Sequence, residues 1–144
     1  MVRAAEKART VAELANRLWP DHALEELEAE FGQLIEDPDA AVFLAYQGQQ
    51  AVGFAQCQLR HDYVEGTGSS PVGYLEGIFV DKTVRRRGYA RLLLAACEIW
   101  AKEKGCVEFA SDCELENEES LRFHLKTGFE EVGRIICFVK RIGE

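Results

Sequence analysis

From Ala23 to Ile35 the apolar residues Leu24, Leu27, Phe31 and Leu34 stand three or four positions apart, with Glu25, Glu26, Glu28 and Glu30 between them. That period predicts one buried face of an α-helix. Residues 10–18, TVAELANRL, predict a shorter helix before it, with Thr10 as N-cap, Glu13 at capping-box distance, and a stop ahead of Trp19-Pro20. The pattern then changes. AAVFLAYQ and QAVGFAQCQLR read as two strands joined through Gln47-Gly48-Gln49, a hairpin connection. Residues 61–73, HDYVEGTGSSPVG, are loop chemistry long enough to carry function. YLEGIFV predicts a strand, Ala90 to Lys104 a helix, and CVEFAS another strand, so this part of the chain reads as a βαβ crossover closing a parallel pair. Glu118 to Lys126 predicts a last helix, beginning near Asn117 and ending at Gly128, before a strand region from Phe129 to Lys140. The class expected is α/β (α+β): a mixed central sheet with flanking helices, in a single domain spanning residues 1–144.

Composition narrows the partners. With 25 acidic against 17 basic residues the net charge is −8, which argues against nucleic acid or an anionic membrane as the main partner. No run approaches the roughly 20 apolar residues that span a bilayer, and MVRAAEKART lacks a signal-peptide core, so a cytoplasmic protein is expected. Cys57, Cys97, Cys106, Cys113 and Cys137 form no CxxC pair and sit in apolar stretches. They read as reduced core thiols; neither a disulfide nor a metal is expected.

Against that acidic background, Arg85-Arg86-Arg87-Gly88 stands between a strand and a helix. Side-chain cations, the free N–H groups of a helix start and a glycine that lets backbone approach a ligand make this an anion site. It is neither a dinucleotide fingerprint, G-x-G-x-x-G, nor a nucleotide-triphosphate loop, G-x-x-x-x-G-K-[ST].

The pattern Arg85-x-x-Gly88-x-Ala90 resembles the acetyl-CoA pyrophosphate loop of the GCN5-related N-acetyltransferase (GNAT) superfamily. NEESLRFHLKTGF, with Asn117, Ser120, Phe123-His124 and Gly128-Phe129, resembles that superfamily's fourth-helix signature. LWPDH, RHDYVEG, SSPVGYLEGIFV and EFASD are similar to segments of the aminoglycoside 6'-N-acetyltransferases within it. The likeness runs from about residue 15 to 140; in MVRAAEKAR the first strand of that fold is not discernible. The resemblance implies the GNAT fold, in which the parallel strand pair splays apart, with acetyl-CoA as cosubstrate, a small cationic aminoglycoside as acceptor, and a homodimer.

It also implies roles for particular residues. Glu76, an acid between Leu75 and Gly77, would take the proton of the acceptor amine through a water, and otherwise is an outward strand residue. Backbone around Ile78, Phe79 and Val80 would pair with the pantetheine arm, an N–H near Phe79 polarising the thioester carbonyl. Arg85, Arg86, Arg87, Gly88, Tyr89 and Ala90 would hold the pyrophosphate, with Asn117 also on the cofactor. Asp112, at the carboxyl end of its strand, would hold a substrate ammonium or share the base role; its plainer reading is a cap for the next turn. His124 stands where many GNAT enzymes carry the tyrosine that protonates the departing thiolate, and reads either as that acid or as a residue packed on the cofactor. Trp19 and Tyr63 are candidates for the acceptor wall, Trp19 equally for the core. Two other functions remain open: acetylation of another polyamine, amino acid or protein N-terminus, and a non-catalytic acyl-CoA sensor lacking a working base.

Overall fold

The computed structural model describes all of residues 1–144, as two compact units, Met1–Asp112 and Cys113–Glu144. The larger unit carries a five-stranded sheet in the order β1 (Val2–Ala4), β2 (Ala40–Gln47), β3 (Gln50–Arg60), β4 (Val72–Val80), β5 (Phe109–Ser111). The first four strands pair antiparallel and β4 pairs β5 parallel. The expected mixed sheet and its crossover are thus present. The first strand lies in the N-terminal residues where no pattern marks it: Val2, Arg3 and Ala4 pair with Ala45, Leu44 and Phe43. Three residues are too few to display an alternation.

Alternation along β2 sorts its side chains. Val42 and Leu44 join Phe54 in a core under α1 (Ala8–Leu18) and α2 (Leu24–Glu36), which contribute Val11, Leu14, Leu27 and Phe31. Ala41 and Phe43 point the other way, toward Ala96, Ile99 and Trp100 of α3 (Tyr89–Glu103). Helix α3 buries Leu93, Leu94, Cys97 and Ala101, one stripe at helical spacing. It seats closely on the β4–β5 pair because Gly73 has no side chain: a Cβ there would stand 2.6 Å from the Ala101 Cβ.

Four expectations need correction. Helix α1 begins two residues before Thr10, its N-cap is Lys7 and no side chain caps it, so Thr10 lies within the first turn. CVEFAS is a strand only over Phe109–Ser111. Cys57, Cys97 and Cys106 are buried, but Cys113 and Cys137 are exposed and are not core thiols. In the smaller unit α4 (Glu118–Lys126) forms as expected, with the Asn117 side chain accepting from the Ser120 N–H and Gly128 at φ 101°. The residues from Phe129 onward form no strand: Ile135, Ile136, Phe138 and Val139 are exposed, and strand-forming composition without a ladder partner leaves the backbone irregular.

Candidate active site

Glu76 owes its placement to an irregularity in β4. Gly77 lies opposite Gln56 and Leu75 opposite Cys57, so Glu76 is an extra residue with no partner on β3. Such a bulge re-aims a side chain that the regular pleat would fix. The Glu76 carboxylate accepts two hydrogen bonds from Arg60, from Nη2 at 2.9 Å and from Nε at 3.1 Å. The same guanidinium lies 3.5 Å from the centre of the Tyr74 ring, and the Tyr74 hydroxyl donates to Asp112. Burial, then the hydrogen bond and charge of Asp112, push the Tyr74 hydroxyl well above its ordinary pKa, so it is a proton donor across the working range. Burial lowers the pKa of Arg60, but the hydrogen bond and charge of Glu76 outweigh it and the net shift is upward.

Arg60 and Tyr74 were not among the residues expected at this site. Tyr74 sits in an apolar strand between two small or aliphatic neighbours and reads as core; indeed it packs with Val64 and Val72. Arg60 ends β3 and reads as a solvated strand terminus. A hairpin register would have exposed their relation, since Arg60 lies opposite Val72, two residues from Tyr74.

Beyond Leu75 the two parallel strands part. Their pairing covers only Gly73–Leu75 with Phe109–Ser111, while β4 runs on to Val80, so Glu76, Gly77, Ile78, Phe79 and Val80 carry no β5 partner. Phe79 itself packs on Phe54, with Arg17 stacked 5.1 Å over its ring. After β4 a single turn of 3₁₀-helix, Lys82–Val84, leads to the arginines. Arg85 donates from Nε to the Val80 carbonyl at 3.0 Å, tying the loop to the strand end. Arg86 takes φ 67° and Gly88 φ 86°, and Gly88 is the N-cap of α3, a helix start with no side-chain cap. Tyr89 and Ala90 open the helix, half-buried. Two left-handed residues, helix N–H groups without a side-chain cap and exposed cations stand together here, an arrangement able to receive an anion. An added Cβ at Gly88 meets nothing within 4 Å, so the loop leaves space there.

The two aromatic candidates differ. Trp19 is half-buried, packed edge-on to Phe54 at 6.0 Å, with its ring against Gly77 of β4, so it lies beside Glu76 as part of the core margin. Tyr63 is exposed, and its hydroxyl accepts from the Gly66 N–H at 3.4 Å within the long loop. Asp112 caps no turn; the hydroxyl of Tyr74 engages it instead.

In the smaller unit, His124 Nδ1 lies 2.7 Å from the Ser120 carbonyl oxygen. A carbonyl only accepts, so Nδ1 donates to it and carries a proton. Its ring also packs on Phe129 at 4.9 Å. Asn117, assigned to the cofactor above, caps α4.

Residues 8–129 match the model of the acetyltransferase (GNAT) family. The chain belongs to the GNAT acetyltransferase family. Within it, this GNAT chain is 46% identical over 127 residues to an aminoglycoside N(6')-acetyltransferase type 1 of Acinetobacter baumannii, covering 88% of the chain and 86% of the relative. It is 44% identical over 128 residues to the protein of that name in Salmonella typhimurium, covering 89% and 88%. Among solved GNAT structures, AAC(6')-Iy in complex with the bisubstrate analogue CoA-S-monomethyl-acetylneamine superposes with a TM-score of 0.94 at 40% identity, covering 98% of this chain and 97% of that one.

Proposed function

We propose that this GNAT chain transfers an acetyl group from acetyl-CoA to the 6'-amine of an aminoglycoside by direct attack of the amine on the thioester. The observation that carries the reading is the bulge acid Glu76 beside a β4 edge left open by β5, at the end of which the arginine loop begins. Relatives of 40–46% identity are aminoglycoside N(6')-acetyltransferases.

The open β4 edge from Glu76 to Val80 suits an extended amide-containing arm, whose groups pair with strand N–H and C=O. Arg85, Arg86, Arg87 and the N–H groups after Gly88 neutralise a pyrophosphate. These features fit CoA, which supplies the activated acetyl group. Glu76 accepts a proton from the acceptor's 6'-ammonium through a water, leaving the neutral amine to attack, and Asp112 binds a second ammonium of the acceptor. His124 packs its ring on Phe129, and a thiol of ordinary pKa near 8.5 leaves as thiolate without an acid. Trp19 and Tyr63 bound the acceptor side. Thiol release measured over a panel of amines tests the assignment: kanamycin-type acceptors should be preferred, and a preference for a neutral or anionic amine would overturn it.

The same reading makes residues 1–144 one catalytic domain, working in the cytoplasm as a homodimer. The exposed, strand-forming run Ile135, Ile136, Phe138 and Val139 supports the dimer, because an apolar segment of this kind is stable when a second chain covers it. Sedimentation should give a species near twice 16.2 kDa; only the monomer at micromolar concentration would sink the dimer.

A further inference from the structure

Glu76 and Asp112 are not independent groups. The Arg60 guanidinium holds both Glu76 oxygens at 2.9 and 3.1 Å and rests on the Tyr74 ring at 3.5 Å, and the hydroxyl of that ring is spent on Asp112. One Arg–Tyr stack therefore lies between two carboxylates and fixes each by a different bond. The stack is held from below: Tyr74 is 6% exposed and packed with Val64 and Val72, so its ring is a rigid base. Glu76 needs such a tether because a bulge residue lacks the ladder partner that would otherwise define its direction. Two of the lone-pair sites on its oxygens face Arg60, and the others are left for a water or an ammonium.

We propose that Arg60 and Tyr74 are positioning residues that lock Glu76 and Asp112 into one rigid acid pair, so that acceptors are selected by the spacing between two of their ammonium groups. This rests on the reading that those two acids meet the acceptor. A Lys at position 60 keeps the charge but loses the planar fork that grips both oxygens. A Phe at position 74 keeps the ring under Arg60 but loses the bond to Asp112. Each half of the device is thus separable.

The experiment is steady-state kinetics with kanamycin and with a monoamine, on Y74F, R60K, R60Q, D112N, E76Q and the doubles Y74F/D112N and R60Q/E76Q, with CoA affinity and melting temperature measured alongside. In Y74F the KM for kanamycin should rise about tenfold while kcat and the monoamine KM stay within about twofold, and adding D112N should change little further. R60Q should lower kcat about tenfold, R60K should fail to restore it, and R60Q should add nothing to E76Q. A packing role would instead lower the melting temperature and act on both acceptors alike. Additive effects in both doubles, or an unchanged kanamycin KM in Y74F, overturn the proposal. If Y74F folds poorly, kcat at the more exposed position 60 decides: a wild-type kcat in R60K and R60Q, or additive losses in R60Q/E76Q, overturns the proposal. If E76Q and D112N themselves leave both constants unchanged, the reading of the acids fails with it, and the single-acid variants make that failure separately visible.

Discussion

The ring of Trp19 lies against the backbone of Gly77 so closely that a Cβ added there would stand 2.7 Å from indole Cη2 and 3.0 Å from Cζ2. Trp19 also packs edge-on to Phe54, which limits how far the ring can retreat on that side. Gly77→Ala should therefore cost about 1–3 kcal/mol by overpacking. A thermal melt should show a loss of several degrees, and an unshifted melt would mean the indole swings aside without cost.

At Gly88 the stability cost and the ligand cost can be separated. Its φ of 86° charges any L-residue about 1–2 kcal/mol, yet a Cβ there meets no protein atom. Gly88→Val should fold with a modestly lowered melting temperature and lose far more CoA affinity by calorimetry than that strain explains. Arg85→Ala should lose both, because its Nε–H also ties the loop to Val80. Arg87→Ala should weaken CoA alone, by roughly 1.5–3 kcal/mol for a charge-assisted contact. CoA affinity unchanged in folded Gly88→Val would place the cofactor elsewhere.

The two acids should fail in different ways. If Asp112 binds a second ammonium as proposed, Asp112→Asn should raise KM for kanamycin more than for a monoamine. If Glu76 is the proton acceptor proposed, Glu76→Gln should lower kcat with little change in acceptor binding. Equal effects of Asp112→Asn on both acceptors would reduce it to a solvated side chain.

Acid should loosen the turn after β4. The N–H of Thr83, then its hydroxyl, then Arg17 hold the Asp81 carboxyl well below the usual carboxylate range. A carboxylate whose pKa is depressed by folding contributes stability that is present above its unfolded value, near 3.9, and is lost as pH falls through the folded one. Asp81→Asn should remove that part of the pH dependence, so its stability should fall less steeply than wild type below about pH 4 in denaturant titrations.

Local patterns reveal most of the frame of this protein. The period of Leu27 and Phe31, the turn at Gly48, the cap at Asn117 and the crossover from β4 to β5 are each written within a few consecutive residues. The arginine loop is legible for the same reason, since Arg85 to Ala90 form one contiguous segment. What escapes depends on pairing across distance. β1 is visible only through its ladder with Phe43 to Ala45, and the strand expected after Phe129 is absent for want of such a ladder. Glu76 is conspicuous as an acid in an apolar strand, but Arg60 is not, because its tie to Glu76 spans 16 positions and depends on the register between two strands. Tyr74 is hidden differently: one side chain is both core and a polar donor, and its burial is the more visible half.

The bulge at Glu76 also decides which way the rest of β4 faces. Gly73 lies under Ala101 of α3, and Val80 meets the same helix's layer beside Leu93, although they are seven residues apart. In an unbroken pleat an odd separation puts two residues on opposite sides. The single extra residue changes the parity of the strand, so that Gly77 and Phe79 turn to Trp19 and Phe54 while Val80 still faces α3. Removing one residue at this point would leave the chain upstream untouched and turn every later side chain of the strand inside out, driving Phe79 from its core. The Glu76 carboxylate and the downstream frame are therefore fixed together: flattening the strand at Glu76 would require rebuilding both layers that pack on it.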